Sequence, residues 1–241
     1  MNRLARLSTI LLAPLLLFGC LLTLGKFVSS LTVNADRSFA FTYKGEVIAI
    51  DTGKEMGKAV GTPTVPSSND DIPSIDRSND DGPLSLADKR SGNNTDTEAR
   101  HRAIAAALSK EYGYRSVIYQ GKGKFLIDYS VSGILTHNFV FPFNVDAEAL
   151  FPFVMVELRQ GGIVRVKAPG FANDTNKAKN PLGAGEPPSL LDGIFTLDTN
   201  AAIVSQNNED GAKQAGGRSV MMWKATPLTK DAPTAVLRLA R

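Results

Sequence analysis

Apolar and polar residues alternate along much of this chain, with the period of two that a β-strand imposes on side chains pointing to opposite faces. Phe27, Leu31 and Val33 recur at one parity, and Phe39, Phe41 and Tyr43 follow after Asn34-Ala35-Asp36-Arg37, which has the composition of a hairpin turn. The pattern resumes at Tyr114. Segments 115–120 and 124–131 flank Gly121-Lys122-Gly123; in the second, Phe125, Ile127, Tyr129 and Val131 share one face while Leu126, Asp128 and Ser130 share the other. Further strands are predicted at 134–143, at 151–159 and 163–167 around Gln160-Gly161-Gly162, and at 193–199, 202–205, 219–226 and 235–239.

Three stretches break the alternation. Residues 51–94 hold no aromatic residue and no sustained period, only Gly, Pro, Ser, Asn and Asp clusters around scattered aliphatics. Such a composition buries too little apolar surface to offset the entropy of ordering, so a long disordered insertion is expected there. Residues 95–112 carry a helical period instead. Thr95 and Glu98 match a capping box, and Ile104, Ala105, Leu108 and Tyr112 recur on one face, opposite Arg100, His101, Arg102 and Lys110. A second irregular loop is expected over 171–189. The expected fold is α+β, a curved and mostly antiparallel sheet of about nine strands carrying one amphipathic helix.

The start of the chain follows another rule. Arg3 and Arg6 precede an apolar run from Leu7 to Phe18, then Gly19 and Cys20, the only cysteine present. A cationic end, a short apolar stretch and a small residue form a secretory leader. The run is shorter than the roughly 20 residues that span a bilayer. Leu16-Leu17-Phe18-Gly19-Cys20 resembles the lipobox of bacterial lipoproteins, which implies cleavage before Cys20 and acylation of its thiol. An uncleaved signal-anchor extended through Leu24 is the alternative, and it also places the rest of the chain outside the cytoplasm. Leu21 stands where an inner-membrane retention signal would have aspartate, so the resemblance implies the outer membrane of a Gram-negative cell envelope. The expected organisation is a leader at 1–19, anchor and first hairpin at 20–50, insertion at 51–94, and the rest of the same domain at 95–241.

Charge narrows the partners. The leader holds two of the 27 Lys and Arg residues and none of the 24 Asp and Glu, leaving 25 against 24 in the mature chain. No basic patch suggests nucleic acid. With Cys20 committed to the anchor, disulfides are excluded and a core must hold by packing.

Candidate chemistry is sparse. His101 and His137 are the only histidines, no nucleophile elbow accompanies them, and no zinc, calcium or nucleotide motif is present. No catalytic residue, metal or cofactor is assigned. Both histidines read most simply as solvated or strand-end residues. The dense feature is aromatic: Phe139, Phe141, Phe143, Phe151 and Phe153, in two Phe-Pro-Phe triplets. These read as core around strand bends or, as the functional candidate, as the lining of a site for a lipid or other hydrophobe. Gln206-Asn207-Asn208-Glu209-Asp210-Gly211 reads as a polar turn, with contacts to a carbohydrate or metal as the alternative.

Four stretches carry a family resemblance: Leu22-Thr23-Leu24-Gly25-Lys26-Phe27, Phe41-Thr42-Tyr43-Lys44-Gly45-Glu46, Ala168-Pro169-Gly170-Phe171, and 205–211. Through them the chain resembles a family of alphaproteobacterial lipoproteins. Its layout, with an Asn-rich turn at Asn207 and Asn208 and a late Trp223, is similar to LppM-type lipoprotein domains. That resemblance implies lipid or glycolipid handling in the envelope. The expected function is therefore a non-enzymatic, lipid-anchored envelope protein, held to the membrane through Cys20, that binds a lipid or another envelope component. The alternatives are an assembly factor docking a protein along a sheet edge, and a hydrolase using carboxylates such as Asp128, Asp146 and Glu148.

Overall fold

A computed structural model of the chain describes residues 21–50, 86–142, 152–173 and 190–240. Cys20 with its leader, the expected insertion as far as residue 85, Phe143, Phe151, Asp146 and Glu148 lie outside the described residues.

The first hairpin forms where alternation predicts it. Strands β1 (Leu21–Val33) and β2 (Ser38–Ile50) pair antiparallel from Leu21 opposite Ile50 to Val33 opposite Phe39. Asp36 closes the turn by accepting from the Ser38 hydroxyl at 2.7 Å and its N–H at 2.9 Å, and both bonds hold its carboxyl below the usual range. The following elements are α1 (Leu86–Leu108), β3 (Tyr114–Gly121), β4 (Lys124–Ile134), β5 (Phe139–Phe141), β6 (Val154–Arg159), β7 (Ile163–Lys167), β8 (Asp192–Thr199), β9 (Ala202–Gln206), β10 (Lys213–Ala215), β11 (Arg218–Ala225) and β12 (Thr234–Arg238). Most strands lie within a few residues of their predicted positions. The long one expected at 134–143 is reduced to β5, and β10 falls between the strands predicted at 202–205 and 219–226, where none is predicted.

The expected α+β class with one curved sheet is not what these strands build. The described residues are mostly strand, and they form two open sheets with a single α-helix. A seven-stranded sheet has the order β10-β11-β8-β1-β2-β4-β3, and a five-stranded sheet has the order β5-β6-β7-β12-β9. The smaller is antiparallel throughout. The larger is mixed, because β1 pairs parallel with β8 over Lys26–Val33 and Asp192–Thr199. Hairpin periodicity reports only pairs of neighbouring strands. A parallel partner far along the chain and the division into two sheets leave no local mark.

Inner faces of the two sheets meet in one core. Leu31, Phe41, Tyr43, Phe195, Leu197 and Met221 come from the larger sheet; Val154, Val156, Val164, Val166 and Leu237 come from the smaller. Phe27 shows how close the packing is. Its ring stacks on Phe171 at 4.4 Å, and a Cβ added at Gly193 would meet that ring at 2.4 Å. Only glycine leaves room for an aromatic ring against the neighbouring strand. At one corner the chain passes from β8 to β9, where the buried Thr199 hydroxyl donates to Val33 C=O at 2.6 Å and accepts from Ala201 N–H at 3.0 Å.

The helix departs from its predicted start. It begins at Leu86, so Thr95 lies inside it rather than at its cap. Glu98 binds outward, accepting from Lys122 N–H at 3.1 Å in the β3–β4 turn. His101, expected on the solvated face, is 5% exposed and lies on the buried stripe with Ala105 and Leu108. Its Nδ1 is 3.1 Å from Tyr119 Oη, and its ring meets Phe125 edge-on at 5.6 Å. Its arginine neighbours Arg100 and Arg102 hide this, since successive residues of a helix project about 100° apart and one flanked by cations can still face inward.

Candidate functional site

The aromatic candidates occupy the core where described. Phe141 is 1% exposed and contacts Phe41, Tyr43, Tyr129 and Phe153, with ring centroids 4.7–6.2 Å apart. Phe153 is buried, and half-buried Phe139 packs on Phe39 and Phe41 at 5.5 and 5.2 Å. None of the three lines the groove or the hollow described below. The polar candidates stay apart. Exposed His137 pairs with the Thr136 hydroxyl at 3.0 Å, and Asp128 with Lys44 at 3.8 Å. No group of three His, Cys, Asp or Glu residues close enough for a metal occurs among the described residues.

A groove of about 1080 Å3 opens instead beside β11. It exists because β10 is short. β10 pairs with β11 only from Arg218 to Val220, so from Met222 onward this edge has no strand partner among the described residues. Two side chains occupy the carbonyls left free. Asn208 Nδ2 donates to Met222 C=O at 2.6 Å, and the Thr229 hydroxyl donates to Lys224 C=O at 3.3 Å. Such capping blunts a strand edge against further strands.

The polar wall of the groove is the turn at 207–211, and Asn207 fixes it. Its Oδ1 accepts from Trp223 Nε1 at 3.2 Å and from Thr234 N–H at 2.8 Å, while its Nδ2 donates to Ala232 C=O at 2.8 Å. Asn208 N–H donates to Gln206 Oε1, and Gly211 takes the positive φ of 70° that ends the turn. Asn208 Oδ1 is buried without a hydrogen-bond partner among the described residues.

Its apolar wall is exposed Met222, Leu228 and Ile194, beside half-buried Trp223, which stacks on Phe195 at 5.7 Å. Lys213, Lys224 and Lys230 face Glu209, Asp210 and Asp231 around the rim, three cations to three carboxylates. An uncharged apolar surface beside a fixed amide and carboxylate turn suits an amphipathic ligand. A shallower hollow of about 410 Å3 adjoins it and shares Ile194 and Lys224. The Asn-rich turn and Trp223 are legible in sequence. Met222 and Leu228 are not, because nothing local says that β10 stops after three residues.

No family model matches the chain, and no curated protein matches it, so the expected kinship with alphaproteobacterial lipoproteins has no family match behind it. Among solved structures, the chain is similar to the folded domain of LppM from Mycobacterium tuberculosis, determined by NMR. The two are 19% identical, the match covers 94% of this chain and 95% of that one, and the TM-score is 0.33. The function is therefore argued from this chain's own residues.

Proposed function

We propose that this chain is a lipid-anchored cell-envelope protein whose domain binds an amphipathic ligand, such as a lipid, without catalysing a reaction. The anchor is acylated Cys20, one residue before β1 begins at Leu21. The destination is the envelope of a Gram-negative cell, with the outer membrane favoured by Leu21. The observation that carries the binding reading is the groove itself, where exposed Met222 and Leu228 lie beside the chain's only tryptophan and a turn held rigid by Asn207.

Docking of a protein along a sheet edge is less well supported. β5 and β10 are three residues each, β9 carries a register shift against β12, β3 carries two against β4, and the β11 edge is capped by Asn208 and Thr229. A hydrolase reading built on Asp128 is less well supported, because Asp128 is engaged with Lys44 at 3.8 Å and does not line the groove.

The test is purification of the full-length protein from membranes, with mass spectrometry of bound lipid and titration by a brominated fatty acid read through Trp223 fluorescence. Stoichiometric lipid and saturable quenching are expected. Absence of both ends the ligand-binding reading. Separately, Cys20→Ala is expected to abolish incorporation of a radiolabelled fatty acid, and unchanged labelling refutes the anchor.

A further inference from the structure

The outer face of the seven-stranded sheet changes chemistry along its strands. Successive rows of outward side chains can be read from the register. Towards the β1–β2 turn hydroxyls prevail, with exposed Met222 opposite Thr196 and exposed Ile134 opposite Ser38 as the apolar exceptions. Ser30, Thr42 and Ser130 stand opposite one another, with Thr196 beside Ser30, and the Ser30 and Thr42 hydroxyls lie 2.7 Å apart. Further along the same face stand Thr32 and Ser132.

Nearer the start of β1 the rows become aliphatic and cationic. Val28 pairs with Lys44 on one side and Ile194 on the other, and Ile194 stands opposite Lys224. Lys26 precedes Val28 on this face, and Leu126 stands opposite Ile118. Val28 is 62% exposed and Leu228, just beyond the end of β11, is 87% exposed; Ile118 and Ile194 are exposed as well. The carboxylates here are Glu46, bound to Lys124 at 2.6 Å, Asp128, near Lys44 at 3.8 Å, Asp192, opposite Lys26 in the register, and Glu209, Asp210 and Asp231 on the groove rim beyond Lys224. Among the described residues no ion pair forms at Lys26 or Lys224, which flank the aliphatic patch.

Aliphatic side chains ringed by lysines on one half of a sheet face, with hydroxyls prevailing on the other half, match a bilayer surface. The aliphatics enter the interface and the lysine ammonium groups meet phosphates. The geometry points to a second membrane contact. The domain lies on the leaflet that anchors it, with Lys26, Val28, Ile194, Lys224 and Leu228 against a bilayer containing anionic lipid. This rests on anchoring at Cys20. It also makes a positional claim, because a domain standing upright on the open end of its first hairpin would hold Val28 roughly 20 Å from Leu21 along the strand.

The experiment uses full-length protein reconstituted in vesicles of phosphatidylethanolamine and phosphatidylglycerol containing nitroxide-labelled lipid. Single variants Val28→Cys, Leu228→Cys and Ala202→Cys carry a fluorescent thiol label. Ala202 is an exposed residue of the smaller sheet. Severalfold stronger quenching at positions 28 and 228 than at 202, in protein that sediments with the vesicles, supports the contact. Replacing Lys26 or Lys224 by glutamine is expected to lower the membrane-apposed population about fivefold per lysine. Equal quenching at all three positions in sedimenting protein overturns the contact while the anchor stands. A parent chain that takes the thiol label at Cys20 and stays in the supernatant overturns the anchor, and the contact with it.

Discussion

Asn208 Nδ2 reaches across to the main-chain carbonyl of Met222 at 2.6 Å, filling with a side chain the place a neighbouring strand would take. The contact therefore holds the polar wall of the groove in place and, together with the Thr229 hydroxyl on Lys224 C=O, protects the β11 edge. Truncating it in Asn208→Ala is expected to cost about 1 kcal/mol, measured by urea unfolding followed through Trp223 emission. The same variant should self-associate more readily in sedimentation velocity, since an uncapped edge recruits strands. A variant as stable and as monomeric as the parent refutes the capping role.

Gly193→Ala tests the seat of Phe27. A methyl group there would stand 2.4 Å from the ring, against β1 backbone that cannot retreat without breaking its pairing with β8. A loss of about 1–3 kcal/mol is expected in thermal unfolding. Adding Phe27→Ala to Gly193→Ala should cost much less than the two single losses combined. Additive losses exclude a clash with the Phe27 ring.

The helix is held to the sheet by a polar cluster. Tyr119 Oη lies 3.1 Å from His101 Nδ1 and accepts from Gly123 N–H at 3.0 Å, and its hydrogen bond with Glu98 is the largest influence holding that carboxyl below the usual range. Tyr119→Phe removes all three interactions and keeps the ring. A loss of about 1–2 kcal/mol is expected, with faster hydrogen exchange in α1 than in β1 or β2. Uniform change in exchange across the domain contradicts a local anchoring role.

Acid should weaken the fold partly through Glu46. Its carboxylate binds Lys124 Nζ at 2.6 Å and accepts from Lys26 N–H at 3.2 Å, and the bond from Lys124 leads in lowering its pKa. A carboxyl whose pKa falls on folding stabilises above its unfolded value, near 4.3, and that contribution disappears as pH drops through the folded value. Glu46→Gln is therefore expected to cost about 1 kcal/mol at neutral pH, a difference that shrinks as pH falls and the carboxyl takes up its proton. A constant difference between pH 7 and pH 3 contradicts the assignment.

Strand positions were largely legible, since Phe125, Ile127, Tyr129 and Val131 alternate cleanly and the turn residues that bound them are distinctive. The fold class was not, because the pairing of Val28 with Ile194 and the division into two sheets join segments with no local signature of each other. Phe141 and Phe153 illustrate the same limit for the site. An aromatic run has the same composition whether it fills a core or lines a cavity, and the packing around Phe141 places it in the core. His101 reads as solvated beside its arginines, yet a helical neighbour of arginine can still point inward, as it does here. Asn207 was readable as a turn, but its bond to Trp223 depends on strands that meet only in the folded sheet.

The parallel pairing of β1 with β8 also has a consequence in time. Synthesis delivers the β1–β2 hairpin long before residues 192–199 exist, so one edge of β1 waits unpaired while most of the chain is made. Closing so distant a contact is slow, and the waiting edge carries Phe27, Leu31 and Val33. Delayed or truncated chains are therefore expected to aggregate through β1, and a factor that shields nascent chains would protect this protein most before β8 emerges.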